Sequence, residues 1–155
     1  MTVTISKERP LVLVGAGKMG GAMLEGWLSN GLPEGAVHVI DPGLDQAQQA
    51  NLQSRGVVVH TMPDNVPTPL LLMLAIKPQM MTAVLPTLSS FSKRADAEDM
   101  MVLSIAAGTT IATLSSTFGP NASVIRAMPN TPALVGRGVT ALYPALPLSD
   151  GQKLF

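Results

Sequence analysis

Short apolar runs alternate along the chain with longer segments whose apolar residues recur at helical spacing. The runs predict strands buried on both faces, and the longer segments predict amphipathic helices. Strands are predicted at residues 11–14, 37–40, 57–60, 70–76, 101–105, 123–127 and 139–143, and helices at 18–29, 45–54, 79–88 and 110–118. The run at 70–76 is the most hydrophobic, so we expect it at the centre of the sheet.

The alternation of strand and helix predicts an α/β fold of the doubly wound type, with a mainly parallel sheet and helices on both faces. Residues 1–148 would form this domain. A further helix begins near Ser149 or Asp150, and the chain stops within about two turns of it. We therefore expect residues 149–155 to start a truncated helix that leads to a C-terminal domain absent from this chain.

Composition narrows the classes of partner. Apolar residues make up 46% of the chain and charged residues 13%, which is typical of a sheet buried on both faces or of an uncovered partner surface. Ten basic and ten acidic residues balance, so no nucleic-acid partner is indicated. No apolar stretch reaches membrane-spanning length, and Lys18 cuts short the apolar run at 11–14, so we expect a cytoplasmic protein.

The chain offers little catalytic or metal-binding chemistry. It has no cysteine, which excludes disulfides and thiolate metal sites. His38 lies within the second predicted strand and His60 at the end of the third, and neither has a carboxylate cluster nearby in sequence. Both are interpreted as structural, so we expect no metal and assign no catalytic residue.

The clearest motif is Gly15-Ala16-Gly17-Lys18-Met19-Gly20, which follows the first strand and opens the first helix. Gly15 permits the tight turn, Gly17 lets the backbone approach a pyrophosphate, and Gly20 lets helix and strand pack closely. The pyrophosphate would rest on the helix N-terminus, where free N–H groups and the helix dipole attract negative charge. The motif predicts a Rossmann-like domain that binds NADPH or NADH.

Asp41 bears on the choice between these cofactors. It ends the second strand about twenty positions beyond Gly20, where an acidic residue accepts hydrogen bonds from the adenosine ribose. A carboxylate there repels a 2′-phosphate, and residues 42–53 include no basic side chain, so the sequence favours NADH. The alternative is that Asp41 only begins the Asp-Pro-Gly turn.

Three further segments follow predicted strands, at residues 75–79, 104–109 and 126–132. They reach the carboxyl edge of the sheet, where open parallel sheets bind ligands. Each segment alone is interpreted as an ordinary turn, and their coincidence on one edge favours a site.

Together with the glycine loop, these segments resemble the successive signatures of pyrroline-5-carboxylate reductases, in that family's order, over about residues 11–143. The Met-Pro-Asn-Thr-Pro sequence at 128–132 is the most specific, because other Rossmann dehydrogenases lack it. The resemblance implies hydride transfer from NAD(P)H to the cyclic imine Δ1-pyrroline-5-carboxylate, which gives L-proline. Such a transfer needs mainly the placement of the nicotinamide against the imine carbon.

The resemblance also implies which residues form the site. Besides the glycine loop and Asp41, the cofactor would contact Asn65, Ala75, Lys77, Pro78, Ala106, Ala107 and Gly108. The residues near the substrate would be Met128, Asn130 and Thr131.

The chain departs from the family in two respects. Many members prefer NADPH and carry a neutral or basic-flanked residue in place of Asp41. Members also continue into a helical domain that forms a homo-oligomer and completes the substrate pocket. We therefore expect this chain to bind cofactor but to catalyse poorly or not at all alone.

Two alternatives stay open. The chain could be a non-catalytic dinucleotide-binding module, as the lack of a catalytic half suggests. It could also be a related Rossmann enzyme, since β-hydroxyacid dehydrogenases and F420-dependent reductases share glycine loops of this type. The sequence at 128–132 argues against the second alternative.

Overall fold

The computed structural model describes residues 4–130, 132 and 137–153. Within these residues, seven strands form one sheet in the order β3-β2-β1-β4-β5-β6-β7. The strands are β1 (Leu11–Val14), β2 (Val37–Ile40), β3 (Val58–His60), β4 (Leu71–Leu74), β5 (Met101–Ser104), β6 (Ser123–Pro129) and β7 (Thr140–Pro144). β1 to β6 are parallel, and their order is the one that defines dinucleotide-binding folds.

Helices connect the strands and cover both faces of the sheet. The helices are α1 (Lys18–Ser29), α2 (Gln46–Ser54), α3 (Met81–Leu88), α4 (Ile111–Phe118) and α5 (Asp150–Lys153). Leu24 of α1 and Leu52 of α2 belong to one hydrophobic cluster, whereas Leu85 of α3 and Leu114 of α4 belong to another. The two clusters lie on opposite faces, because neighbouring residues of each strand alternate between them. The predicted doubly wound α/β architecture is confirmed.

The most hydrophobic strand lies at the centre of the sheet, as its composition predicts. All four residues of β4 are buried, and the strand has three neighbours on either side. The strand ends at Leu74, two residues earlier than predicted. Ala75 N still donates to Val14 O at 2.9 Å, but Pro78 then begins a 3-10 turn (Pro78–Met80), and α3 follows it at Met81.

β7 departs from the parallel pattern. It runs antiparallel to β6, with Arg126 opposite Tyr143, and this pairing accompanies the extension of β6 to Pro129 beyond the predicted residues 123–127. All five residues of β7 are exposed.

The last described helix begins with a capping box. Ser149 Oγ accepts from Gln152 N at 3.2 Å, and Gln152 Oε1 accepts from Ser149 N at 3.0 Å, so Ser149 is the N-cap of α5. In the described part of the chain, no helix has the length and apolar character needed to cross a membrane.

Candidate cofactor-binding site

A cavity of about 550 Å³ opens at the carboxyl ends of β1, β2 and β4. This is the edge where the strand order changes direction, and ligands of doubly wound sheets bind there. Its walls come from the glycine loop, the turn after β2, the segment after β3, the end of β4, and α3. The lining residues are Val14, Gly15, Gly17, Ile40, Asp41, Pro42, Gly43, Thr61, Met62, Pro63, Ala75, Ile76, Lys77, Met80, Ala83, Val84, Thr87 and Leu88.

The glycine loop is shaped by close backbone contacts. Gly15 has φ +88°, and a Cβ there would lie 2.9 Å from Ile76 Cγ2. A Cβ on Gly20 would overlap the Gly15 carbonyl oxygen and lie 3.0 Å from Ala75 Cβ. Gly15 and Gly20 are therefore required by packing, as the motif predicts.

Gly17 differs from these two glycines, because a Cβ there would meet no atom within 4 Å. It is the N-cap of α1, and its φ of −68° is open to any residue. No fold contact accounts for a glycine at this position. The open space is what a pyrophosphate would need in order to approach the backbone closely.

The N-terminus of α1 keeps its N–H groups available. No side chain caps it, and its first turn has no acidic residue. Unpaired N–H groups at a helix N-terminus bind anions, and the helix dipole adds to the attraction. The residues present therefore fit the pyrophosphate of a dinucleotide.

Asp41 connects the turn after β2 to the glycine loop. Its Oδ2 accepts a hydrogen bond from Ala16 N at 2.9 Å, and its Oδ1 accepts one from Gly43 N at 2.8 Å. The second bond is the turn interaction considered as the alternative for this residue. The first bond shows that Asp41 does more than begin a turn, because it also holds the loop that precedes α1.

The predicted cofactor residues divide into two groups around this cavity. Gly15, Gly17, Asp41, Ala75 and Lys77 line it directly. Its lining does not include Ala16, Lys18 and Pro78, which adjoin lining residues in sequence, or Met19 and Gly20 in the first turn of α1.

Asn65 stands apart from the cavity. It is exposed and has φ +61°, in the left-handed region that asparagine tolerates better than most residues. The Val66 N–H donates to Pro63 O at 3.3 Å and closes the turn that includes Asn65. A turn role accounts for this residue.

The segments after β5 and β6 lie further along the same sheet edge. Ala106 is buried, whereas Ala107 and Gly108 are exposed. Met128 is 54% exposed, and Asn130 Oδ1 accepts from Val139 N at 3.0 Å. Thr131 lies outside the described residues, and the predicted substrate edge is therefore described only in part.

The sequence motifs do not include the wall formed by Thr61, Met62 and Pro63. These residues follow β3 directly, so the rule that ligands meet the carboxyl ends of parallel strands could have identified them. Helix α3 contributes a further wall through Ala83, Val84 and Thr87, for which no sequence motif gives a signal.

The two histidines form a pair on β2 and β3. His38 Nδ1 lies 2.9 Å from His60 Nε2, and the two rings are nearly parallel, at 9°. Burial lowers the pKa of His38, and the facing His60 lowers it further. Burial also lowers the pKa of His60. In the described residues, no group of three or more His, Asp or Glu side chains is arranged to hold a metal.

The fold and glycine loop agree with the family to which the sequence belongs. A family model described as "NADP oxidoreductase coenzyme F420-dependent" matches residues 10–108, from the start of β1 to the turn after β5. This range is more than half of the chain, and the chain belongs to this family of oxidoreductases.

Within this class, the resemblance to pyrroline-5-carboxylate reductases is confirmed. The enzyme of that name from Pasteurella multocida (strain Pm70) is 34% identical over 154 residues, which cover 96% of this chain and 54% of that protein. This match extends past residue 108 and takes in the sequence at 128–132. The chain spans about half the length of the curated relatives that it matches.

Solved structures support the same fold. A pyrroline-5-carboxylate reductase from Coxiella burnetii superposes with a TM-score of 0.82 at 24% identity, covering 95% of this chain and 53% of that one. The pyrroline carboxylate reductase of Plasmodium falciparum, solved with NADP bound, superposes with a TM-score of 0.74 at 20% identity. This match covers 96% of this chain and 52% of that one.

Proposed function

We propose that this chain is the cofactor-binding part of a pyrroline-5-carboxylate reductase, which reduces Δ1-pyrroline-5-carboxylate to L-proline with NAD(P)H. The observation that carries the proposal is the uncapped N-terminus of α1 beside the open space at Gly17. Similarity to reductases of that name over nearly the whole chain supports the substrate class.

The proposed cofactor lies across the carboxyl edge of the sheet. Its adenosine would occupy the cavity near Asp41, and its pyrophosphate would bind at Gly15 to Gly20. Ala75, Lys77 and Pro78 would flank the ribose. The nicotinamide would lie near Ala106, Ala107 and Gly108, on the half of the sheet formed by β4 to β6. Asn65 would contact the adenosine from its turn, which lies outside the cavity lining.

We propose NADH as the preferred cofactor. Asp41 is the acidic residue in the cavity wall, and the turn after it has no basic side chain that would pair with a 2′-phosphate. Each carboxylate oxygen of Asp41 accepts one backbone N–H and keeps a further lone pair for a ribose hydroxyl.

The reaction asks little of this chain beyond geometry. The cofactor, when bound, supplies the hydride. The residues of this chain would fix the pyrophosphate, orient the nicotinamide ribose, and present one face of the ring to the imine. Met128, Asn130 and Thr131 would border the substrate.

A second part would complete the enzyme. We propose that residues 149–155 lead into a helical domain that forms the homo-oligomer and the rest of the substrate pocket, since the relatives are about twice as long as their matched region. We also propose a cytoplasmic protein, because the apolar run at 11–14 is the buried strand β1 and is accounted for by the fold.

The test joins this chain to the C-terminal half of the Pasteurella multocida relative and measures imine-dependent NADH oxidation together with L-proline formation. We expect turnover in the joined protein and little or none in the chain alone. A folded, NADH-binding fusion that forms no proline would favour the non-catalytic module. Turnover of a β-hydroxyacid, with none of the imine, would favour a related dehydrogenase.

A further inference from the structure

The turn that follows β5 is fixed at both ends. Thr109 N donates to Ala106 O at 3.4 Å, and Gly108, with φ +74°, supplies the left-handed residue inside the turn. Thr110 then caps α4 by accepting from Thr113 N at 3.1 Å. The start of the turn is held differently, by hydrogen bonds from side chains on two neighbouring strands.

Ser104 on β5 and Arg126 on β6 both reach the backbone of Ala106. Ser104, which is fully buried, accepts a hydrogen bond from Ala106 N through Oγ at 3.3 Å. Arg126 Nη2 donates to Ala106 O at 3.5 Å, which is longer than the usual range of about 2.7–3.2 Å for an N–H···O hydrogen bond. The two residues are direct partners in the sheet register, so their side chains leave the same face.

Stability does not explain an arginine at position 126. Its Nε is buried and has no hydrogen-bond partner in the described part of the chain. Burying a guanidinium with incomplete pairing is costly, and an apolar side chain of similar size often gives equal or greater stability. Arg126 is therefore better explained by its contact with the Ala106 carbonyl than by its contribution to the stability of the fold.

The Ala106 peptide, which Arg126 contacts, lies on the part of the sheet edge that faces the nicotinamide in the proposed function. This is because β4 to β6 form the second half of the dinucleotide fold. We propose that Arg126, together with Ser104, is a positioning residue that fixes the Ala106 peptide as a wall for the nicotinamide ring. This inference rests on the proposed cofactor site. It assigns a role to two residues that are absent from the lining of the cavity described above.

ADP-ribose separates this role from a general effect on the fold, because it retains the adenosine and pyrophosphate of NADH but lacks the nicotinamide. Calorimetric titration of Arg126→Met should show NADH binding weakened by about three- to tenfold, the usual consequence of losing one hydrogen bond. ADP-ribose affinity should stay within about twofold of wild type. Ser104→Ala should likewise weaken the binding of NADH and leave the affinity for ADP-ribose nearly unchanged.

Arg9→Met is the matched control. Arg9 also has buried nitrogen atoms without hydrogen-bond partners in the described residues, but it precedes β1 at the opposite edge of the sheet. This variant should leave both affinities unchanged. Arg126→Gln, whose side chain is too short to replace Nη2, should lose the same NADH affinity and serves if the methionine variant does not fold.

Equal loss of NADH and ADP-ribose affinity in folded Arg126 variants, or no loss of either, would overturn the positioning role. A wild-type chain that binds neither ligand would instead refute the proposed cofactor site.

Discussion

The carboxylate of Asp41 accepts a hydrogen bond from the backbone N–H of Ala16 at 2.9 Å, across 25 positions of sequence. This bond connects the end of β2 to the loop between β1 and α1, and the other carboxylate oxygen closes the turn at Gly43. One side chain thus shapes two walls of the cavity, the glycine loop and the turn after β2. Substitutions of Asp41 should therefore affect both the loop and the choice of cofactor.

Asp41→Ser should lower the preference for NADH over NADPH by at least about fivefold, because like charges a few ångströms apart at a protein surface repel by roughly 1–4 kcal/mol. Equilibrium titrations with both cofactors measure the ratio. Asp45→Ser is the control, since it removes a nearby charge while serine still caps α2. An unchanged ratio in Asp41→Ser would leave Asp41 with its loop and turn contacts alone.

Gly20→Ala should destabilise the fold by about 1–3 kcal/mol, because its Cβ would overlap the Gly15 carbonyl and press on Ala75. Gly17→Ala should cost less than about 1 kcal/mol, since space is free there and the change only weakens a helix cap. Urea unfolding of the two variants measures the difference. Equal losses would mean that the close approach of α1 to the end of β4 is wrong.

Stability should fall as the pH is lowered through the titration of the histidine pair. Folding lowers the pKa of His38 and His60 below the ordinary value of 6.5, so the unfolded chain binds more protons in this range. The stabilisation is complete above about pH 7.5 and declines as the pH approaches about 5.5, where carboxylates remain ionised. The measurement is the urea midpoint across this range.

His60→Gln should flatten that profile, because the amide keeps a polar group beside His38 but does not titrate. A wild-type profile that is already flat, or a variant profile as steep as the wild type, would show that the pair does not govern stability in this range.

Leu72→Ala should destabilise the protein by about 2–5 kcal/mol, because Leu72 is fully buried in the central strand and its removal leaves a cavity. Leu142→Ala makes the same chemical change on β7, where the side chain is 61% exposed, and should stay within about 0.5 kcal/mol of wild type. Thermal or urea unfolding compares them. Similar losses at both positions would contradict the difference in burial.

Patterns within short stretches of the sequence predict most of the strands and helices of this fold. The run at Leu71–Leu74 indicates a doubly buried strand, and the bounds of α1 and the cap at Thr110 follow from glycine and threonine chemistry. The antiparallel direction of β7 has no such local signal, because the residue pattern of an exposed edge strand is the same whether the strand runs parallel or antiparallel to its neighbour.

The site is less accessible to sequence reasoning than the fold. Gly15 and Gly20 can be identified from the sequence as site residues, since each belongs to a known motif that requires glycine for close packing. The bond from Ala16 to Asp41 and the bonds of Ser104 and Arg126 to Ala106 depend on register and side-chain direction across the sheet. Spacing along the chain does not encode these contacts.

The most direct measurement is an NADH titration of the wild-type chain and of Gly17→Val, following energy transfer from Trp27 of α1, the single tryptophan of the sequence, to the bound cofactor. We predict saturable binding by the wild type and none by the folded variant, because the valine side chain would fill the open space at position 17 that the proposed site gives to the pyrophosphate. Equal NADH affinity in both proteins would contradict a cofactor site at the N-terminus of α1.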